Sequence, residues 1–199
     1  MIRMQQNQIS QVSQGGFTLI ELLVAAALLG IVLAAVTGIF ISTNELHTVQ
    51  NKVVQIQQGI RGSLDILSRD IRLSGMNPTG EAANAGFAAA NATNLHIRYD
   101  FSENGTCDRD RHYQYDAGQR RLEVETNGGG GFYGLVEDID SMAFTYTLND
   151  GSTTSNPADP EDIRIITVSI CGQISGAYAN TFDETYCFNN TAYCRNMGL

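Results

Sequence analysis

The sequence predicts an α+β chain: one long N-terminal helix, its first half apolar enough to span a bilayer, packed through its second half on a C-terminal antiparallel β-sheet. Three observations predict it. Residues 22–41, LLVAAALLGIVLAAVTGIFI, run without a charge, and as a helix they cover roughly 30 Å, one hydrocarbon core. From Leu46 to Ile71 apolar residues then recur every three or four positions, with no proline before Pro78. Beyond residue 94 short alternating segments, bounded by Gly, Asn and Asp, read as strands.

The first element is a polar leader. Residues 1–16, MIRMQQNQISQVSQGG, carry one basic side chain, Arg3. A conventional secretory signal would be cut after its apolar segment, where LAAVTG at 33–38 offers small residues. The length of the run and the carboxylate of Glu21 near its start argue against that site. A cut between Gly16 and Phe17 would keep the apolar segment and create a new ammonium four residues from Glu21. A lone charge at the centre of a membrane helix costs ~2.5–3.5 kcal/mol. Glu21 therefore needs a partner, or must snorkel to the headgroups.

The helix continues beyond the membrane with a changed pattern. Leu46, Val49, Val53, Ile56, Ile60, Leu64, Leu67 and Ile71 form one apolar stripe, with Gln, Asn, Ser and Asp on the other faces. Arg61 with Asp65, and Asp65 with Arg69, stand at the i,i+4 spacing of helix ion pairs. The stripe is shorter than four heptads and lacks regular flanking charges, which disfavours a coiled coil. Gly75 is placed to end the helix, with Pro78 beyond it. The helix is thus expected over 17–74, as an apolar part at 17–41 and an amphipathic part at 42–75.

Residues 76–199 form the expected head domain. Segment 80–94 is small and polar and reads as a loop. Strands are expected at 95–101, at 112–126 (two, joined at Asp116-Ala117-Gly118), at 142–148 and at 163–171. They make one antiparallel sheet of four or five strands. The tail from Gly172 onward reads as loop, fastened by cysteines.

Composition bounds the function. The chain carries a net charge of -9, from 12 Lys and Arg against 21 Asp and Glu. Most of the acidic excess lies beyond residue 75. With no basic stripe interleaved by aromatics, direct nucleic-acid binding is not expected. The four cysteines, Cys107, Cys171, Cys187 and Cys194, all follow the apolar run. In an oxidising compartment they suit two disulfides. Three pairings exist. The short loop favours Cys187 with Cys194, leaving Cys107 with Cys171; buried free thiols are the alternative.

Chemistry-bearing clusters are sparse. DFSENGTCD at 100–108 resembles the opening of a calcium loop, with Asp100, Ser102, Asn104, Thr106 and Asp108 at alternate positions and Gly105 for the turn. Arg111 stands at the twelfth position, where such a loop needs a bidentate Glu. A weaker calcium site and a plain polar turn are both open; no other cofactor is expected. His47, His96 and His112 lack metal-ligand spacing and read as surface or satisfied side chains. No serine lies in a G-x-S-x-G elbow, and NGGGGFYG lacks the lysine of a phosphate loop. The chain is expected not to be an enzyme.

Gly15-Gly16-Phe17-Thr18-Leu19-Ile20-Glu21-Leu22 resembles the N-terminus of a type IV prepilin, a class III signal. The resemblance implies that a prepilin peptidase cuts after Gly16 on the cytoplasmic side and methylates the new amino group of Phe17. It also implies that Glu21 pairs with the Phe17 ammonium of a neighbouring subunit in a filament. SRDIRLSGMNPTG, LHIRYDFSENGTCD, VEDIDSMAFTYTLNDG and IRIITVSI extend the resemblance to PilW-type minor pilins, which are related to the J-type pseudopilins of type II secretion. The implied fold is that of type IV pilins. The implied role is a minor pilin that initiates or caps a type IV pilus; a J-type pseudopilin, a major pilin and a non-polymerising anchored binding module are the alternatives. Its implied partners are other minor and major pilins, the peptidase and the inner-membrane assembly platform. The implied location is the bacterial inner membrane, with the head in the periplasm until it enters the pilus.

Overall fold

The computed structural model describes residues 16–174 and 184–197. Among these residues helix α1 runs from Leu19 to Leu73, and nine strands follow: β1 Gly86–Ala90, β2 Asn94–Tyr99, β3 Arg109–Asp116, β4 Arg121–Thr126, β5 Tyr133–Val136, β6 Ile139–Leu148, β7 Thr153–Thr154, β8 Ile163–Gln173 and β9 Thr185–Tyr193. Two compact units divide the chain, residues 1–48 and 49–199. The C-terminal part of α1 therefore belongs with the strands. In the first unit every described residue of α1 up to His47 is exposed.

Within the second unit, α1 ends as its sequence demands. Gly75 adopts φ 72°, the left-handed conformation that glycine tolerates at a helix C-terminus. The Met76 amide donates to the Leu73 carbonyl at 3.0 Å. The strands form two antiparallel sheets rather than the expected single one, in the orders β1-β2-β3-β4-β5 and β7-β6-β8-β9. The break falls after β5, where Asp138 takes φ 59° and β6 pairs with β8 instead of β4. The Ile139 amide donating to the Arg120 carbonyl at 2.8 Å ties the two sheets at this corner.

Both sheets close on the stripe of α1. Ile60, Leu67 and Ile71 are fully buried, and Ile56 and Leu64 nearly so. They share one core with Leu95, Ile97 and Tyr113 of the first sheet and Phe144, Ile166 and Ile170 of the second. The approach to β8 is close: a Cβ on Gly172 would lie 2.4 Å from Ile56 Cγ2 and 2.9 Å from Ile60 Cδ1. Val49, Ile56 and Ile60 are buried as the periodicity requires, whereas Leu46, in the first unit, is exposed. Neither expected ion pair on the helix closes. Arg61 instead lies over the Phe188 ring, 5.1 Å from its centroid.

A polar lock that the sequence reading missed joins α1 to the first sheet. Asp70 is only 3% exposed. Its Oδ2 accepts from the Tyr113 hydroxyl at 2.6 Å and its Oδ1 from the Tyr99 hydroxyl at 3.5 Å. Arg111 Nε stands 3.7 Å from Oδ2, so the buried carboxylate has both hydrogen-bond donors and a counter-charge. Burial first, and the Asp70 charge second, push the Tyr113 phenol well above its ordinary value.

Several elements depart from the sequence reading. The 80–94 loop contains β1, and the loop-like tail contains β9. β1 is GFAAA, without β-branched residues, and β9 is TYCFNNTAY, largely polar. β1 carries little strand propensity of its own, whereas β9 holds strand-favouring Thr, Tyr and Phe but lacks a clean apolar alternation; they pair with β2 and β8 respectively. The favoured disulfide pairing is also corrected. Cys171 bonds Cys187, and Cys107 and Cys194 are free thiols. The two bonded cysteines are register partners on β8 and β9, a juxtaposition that loop length alone does not reveal.

These features set two expected outcomes. Non-reducing peptide mapping should return a Cys171–Cys187 pair. An alkylating reagent should label half-buried Cys107 in the native chain and Cys194 only after unfolding. Burial also raises Tyr99, Tyr113 and Tyr146 above 10.0 and pushes the Cys194 thiol from 9.0 up to about 11. These groups hold their protons longer when folded, so their stabilisation is complete below the unfolded values and is lost as pH rises through the folded ones. The urea midpoint, read by pulse proteolysis, should therefore fall as the pH is raised above about 9.

Candidate functional site

The chemistry singled out by the sequence lies at the start of α1. Gly15 lies outside the described residues. Gly16, Phe17 and Thr18 lead into the helix without helical structure, and Phe17 is 90% exposed. The first helical bond is the Leu22 amide to the Thr18 carbonyl, at 3.2 Å. Glu21 Oε2 accepts from the Thr18 amide and from the Thr18 hydroxyl, both at 3.0 Å. The Glu21 amide donates back to Thr18 Oγ1 at 3.3 Å. This is a capping box, in which Thr18 at the N-cap and Glu21 three residues on satisfy each other's orphan amides.

The capping box gives Glu21 a role inside its own chain that the sequence reading did not consider. The pattern T-x-x-E before an apolar run was the available signal. Both bonds fall on Oε2, so among the described residues Oε1 is not engaged. A carboxylate in the first turn also suits the positive end of the helix dipole. Behind it, the apolar segment is long enough to cross a membrane, and none of it is buried in the chain. Among the described residues the large side chains from Leu19 to Ile41 are exposed.

The other candidate positions resolve differently. In the 100–108 loop, Asp100 is fully buried and its carboxylate accepts from the Asn104 and Gly105 amides, at 3.3 and 2.8 Å. Asp108 accepts from the Phe101 amide at 2.7 Å and from the Ser102 hydroxyl. Ser102 and then Phe101 hold its carboxyl below the usual range. Asn104 Oδ1 accepts from the amide and hydroxyl of Thr106, at 3.0 and 2.6 Å. The side chains expected to face a calcium ion thus cap their own loop. Among the described residues no three His, Cys, Asp or Glu are grouped to hold a metal.

His96 and His112, distant in sequence, are register partners on β2 and β3. Their rings stack with centroids 4.7 Å apart. Asp110 holds His96 Nε2 at 2.5 Å, and Asn94 is bonded to His112 Nε2. Desolvation, and then the neighbouring His96, push the His112 imidazole below its ordinary value. The pair belongs to the polar face of the first sheet.

A long N-terminal apolar helix leading into antiparallel sheets, with an exposed Gly16-Phe17 junction and a carboxylate in the first turn, is the α+β architecture of type IV pilin-like proteins. Residues 12–37 match the family described as the prokaryotic N-terminal methylation motif. The prepilin-type motif is therefore present, and it points to a membrane-anchored structural subunit, a pilin or pseudopilin, processed by a prepilin peptidase. Comparison with curated proteins returns no match.

The capping box makes a prediction of its own. Gln can take the place of Glu in such a box, whereas Ala cannot. In full-length chain in micelles, Glu21→Ala should speed hydrogen exchange at the Thr18 amide, while Glu21→Gln should leave it close to wild type.

Proposed function

We propose that this chain is a minor pilin of PilW type, cut after Gly16, methylated on Phe17 and built into a type IV pilus at or near its point of initiation. The observation that carries the proposal is the Gly16-Phe17 junction set just ahead of Glu21, at the head of an apolar helix segment none of which is buried among the described residues. Cleavage there places a cationic amine beside the capping box. The amine of one subunit can meet Glu21 Oε1 of the next, and pairing offsets the cost of a carboxylate in hydrocarbon. Such a pair selects a partner and sets axial register.

The remaining assignments follow from this reading. Residues 1–16 are the leader, 17–41 the transmembrane and assembly segment, 42–75 the amphipathic helix and 76–199 the periplasmic head. The partners are other minor and major pilins and the inner-membrane assembly platform. The Cys171–Cys187 disulfide supports an oxidising compartment for the head. The likeness of segments such as SRDIRLSGMNPTG to PilW-type subunits favours the minor-pilin role over a J-type pseudopilin.

Terminal-peptide mass spectrometry of the membrane-extracted protein tests the processing. The expected chain begins with N-methylated Phe17; one retaining the leader, or cut near Ala35, overturns the proposal. Incorporation tests Glu21. Both Glu21→Ala and Glu21→Gln should be cleaved normally yet enter sheared filaments poorly. Because Gln preserves the capping box, normal entry of the Gln variant would reduce Glu21 to a helix cap. Trace stoichiometry in those filaments is expected for a minor pilin, and abundance would make it a major one.

A further inference from the structure

We infer that the outer edge of β9 is a docking site for an extended, uncharged segment of a second protein chain, which adds to the second sheet as a further strand. The inference draws nothing from the N-terminal motif. It comes from comparing the four sheet edges. An unpaired strand edge presents a row of free amides and carbonyls, and monomeric proteins blunt such edges with short strands, bulges, prolines or charges. Three of the four are blunted here. β1 has five residues and an irregular register between Phe87 and Ala89. β5 has four residues, and its pairing with β4 shifts between Leu122 and Glu123. β7 has only two residues.

β9 has none of these devices. Its sequence TYCFNNTAY runs for nine residues without charge or proline, in a chain with 33 charged side chains, 12 basic and 21 acidic. Its register against β8 is unbroken from Thr185 to Tyr193. Among the described residues no strand lies on its other side.

The geometry also says which backbone groups are on offer. The Cys194 amide donates to the Arg164 carbonyl at 2.9 Å, which makes 164 and 194 a hydrogen-bonded pair. Alternation along an antiparallel ladder then turns the amides and carbonyls of Asn190 and Ala192 toward β8. Those of Cys187, Asn189, Thr191 and Tyr193 face outward. The side chains of these four residues are all exposed on the solvent face, while half-buried Phe188 on the other face lies under Arg61. An added strand would gain backbone hydrogen bonds from the outward row and extend the cover over Phe188 with its own apolar side chains. This is recognition by strand addition. The Cys171–Cys187 bond fixes β9 to β8, so the edge is held in place before a partner arrives.

Residue-resolved hydrogen exchange on the full chain tests this, in native membranes and after purification in detergent. In membranes the amides of Asn189, Thr191 and Tyr193 should exchange at least about ten-fold more slowly than in the purified chain, with Asn190 and Ala192 slow in both. Fast exchange of the outward amides in membranes would overturn the proposal. Slow exchange in both states would do the same, since the chain would then cover its own edge. Thr191→Pro removes an outward amide and keeps the inward ladder. It should abolish the protection of Asn189 and Tyr193 in membranes; retained protection counts against the docking site. Should that variant lose the protection of Asn190 and Ala192, Thr191→Lys puts a charge on the same edge and decides the question. Terminal processing and the Glu21 variants report separately on the N-terminal motif, so a failure of one reading is distinguishable from a failure of the other.

Discussion

Everything in the second unit depends on one constraint: a single helix stripe must serve two sheets. Ile56, Ile60, Leu64, Leu67 and Ile71 make one continuous apolar stripe that both sheets share, and all are buried. Among the described residues neither sheet has a second α-helix to cover it. A side chain at Gly172 would push β8 off Ile56 and Ile60, so the close fit of helix to sheet falls on a position where no side chain exists. The break between β5 and β6 at Asp138 follows from the same constraint, because a single nine-stranded sheet could not wrap one narrow stripe.

The buried Asp70 adds direction to that packing. An apolar stripe alone would tolerate sliding along a sheet. A carboxylate that must meet Tyr113, Tyr99 and Arg111 has one acceptable position, since displacement would leave a charge unpaired away from water. Hydrophobic burial supplies the attraction between α1 and the first sheet; the Asp70 contacts supply its register.

The same helix obeys different rules at its other end. Among the described residues up to residue 47 none is buried, and the apolar run there is long enough to cross a membrane. Glu21 sits near the start of that run. Within one chain it closes a capping box with Thr18, and it retains an oxygen for a donor from outside. One residue thus closes the first turn of the helix, and its second oxygen is the one the proposed assembly pair would use.

The apolar run, the three-to-four periodicity, Gly75 and the strands at β2, β3, β4, β6 and β8 were legible because each is a local pattern: hydropathy, helical spacing, a left-handed glycine or alternation. The prepilin-type motif at Gly16-Phe17 to Glu21 is likewise contiguous, and so its identity needed no fold. What the tertiary structure alone decided were matters of juxtaposition. Strands β1 and β9 show themselves in their pairing with β2 and β8. Cys171 meets Cys187 because β8 and β9 share a register, and His96 meets His112 because β2 and β3 do. Asp100 and Asp108 turn inward to cap amides that only the folded loop presents. Asp70 reads in the sequence as one more charge on a polar helix; only the two tyrosines brought beneath it by β2 and β3 make it a lock. Local chemistry is written along the chain, but the partner of a buried polar group is set by which strands come to lie side by side.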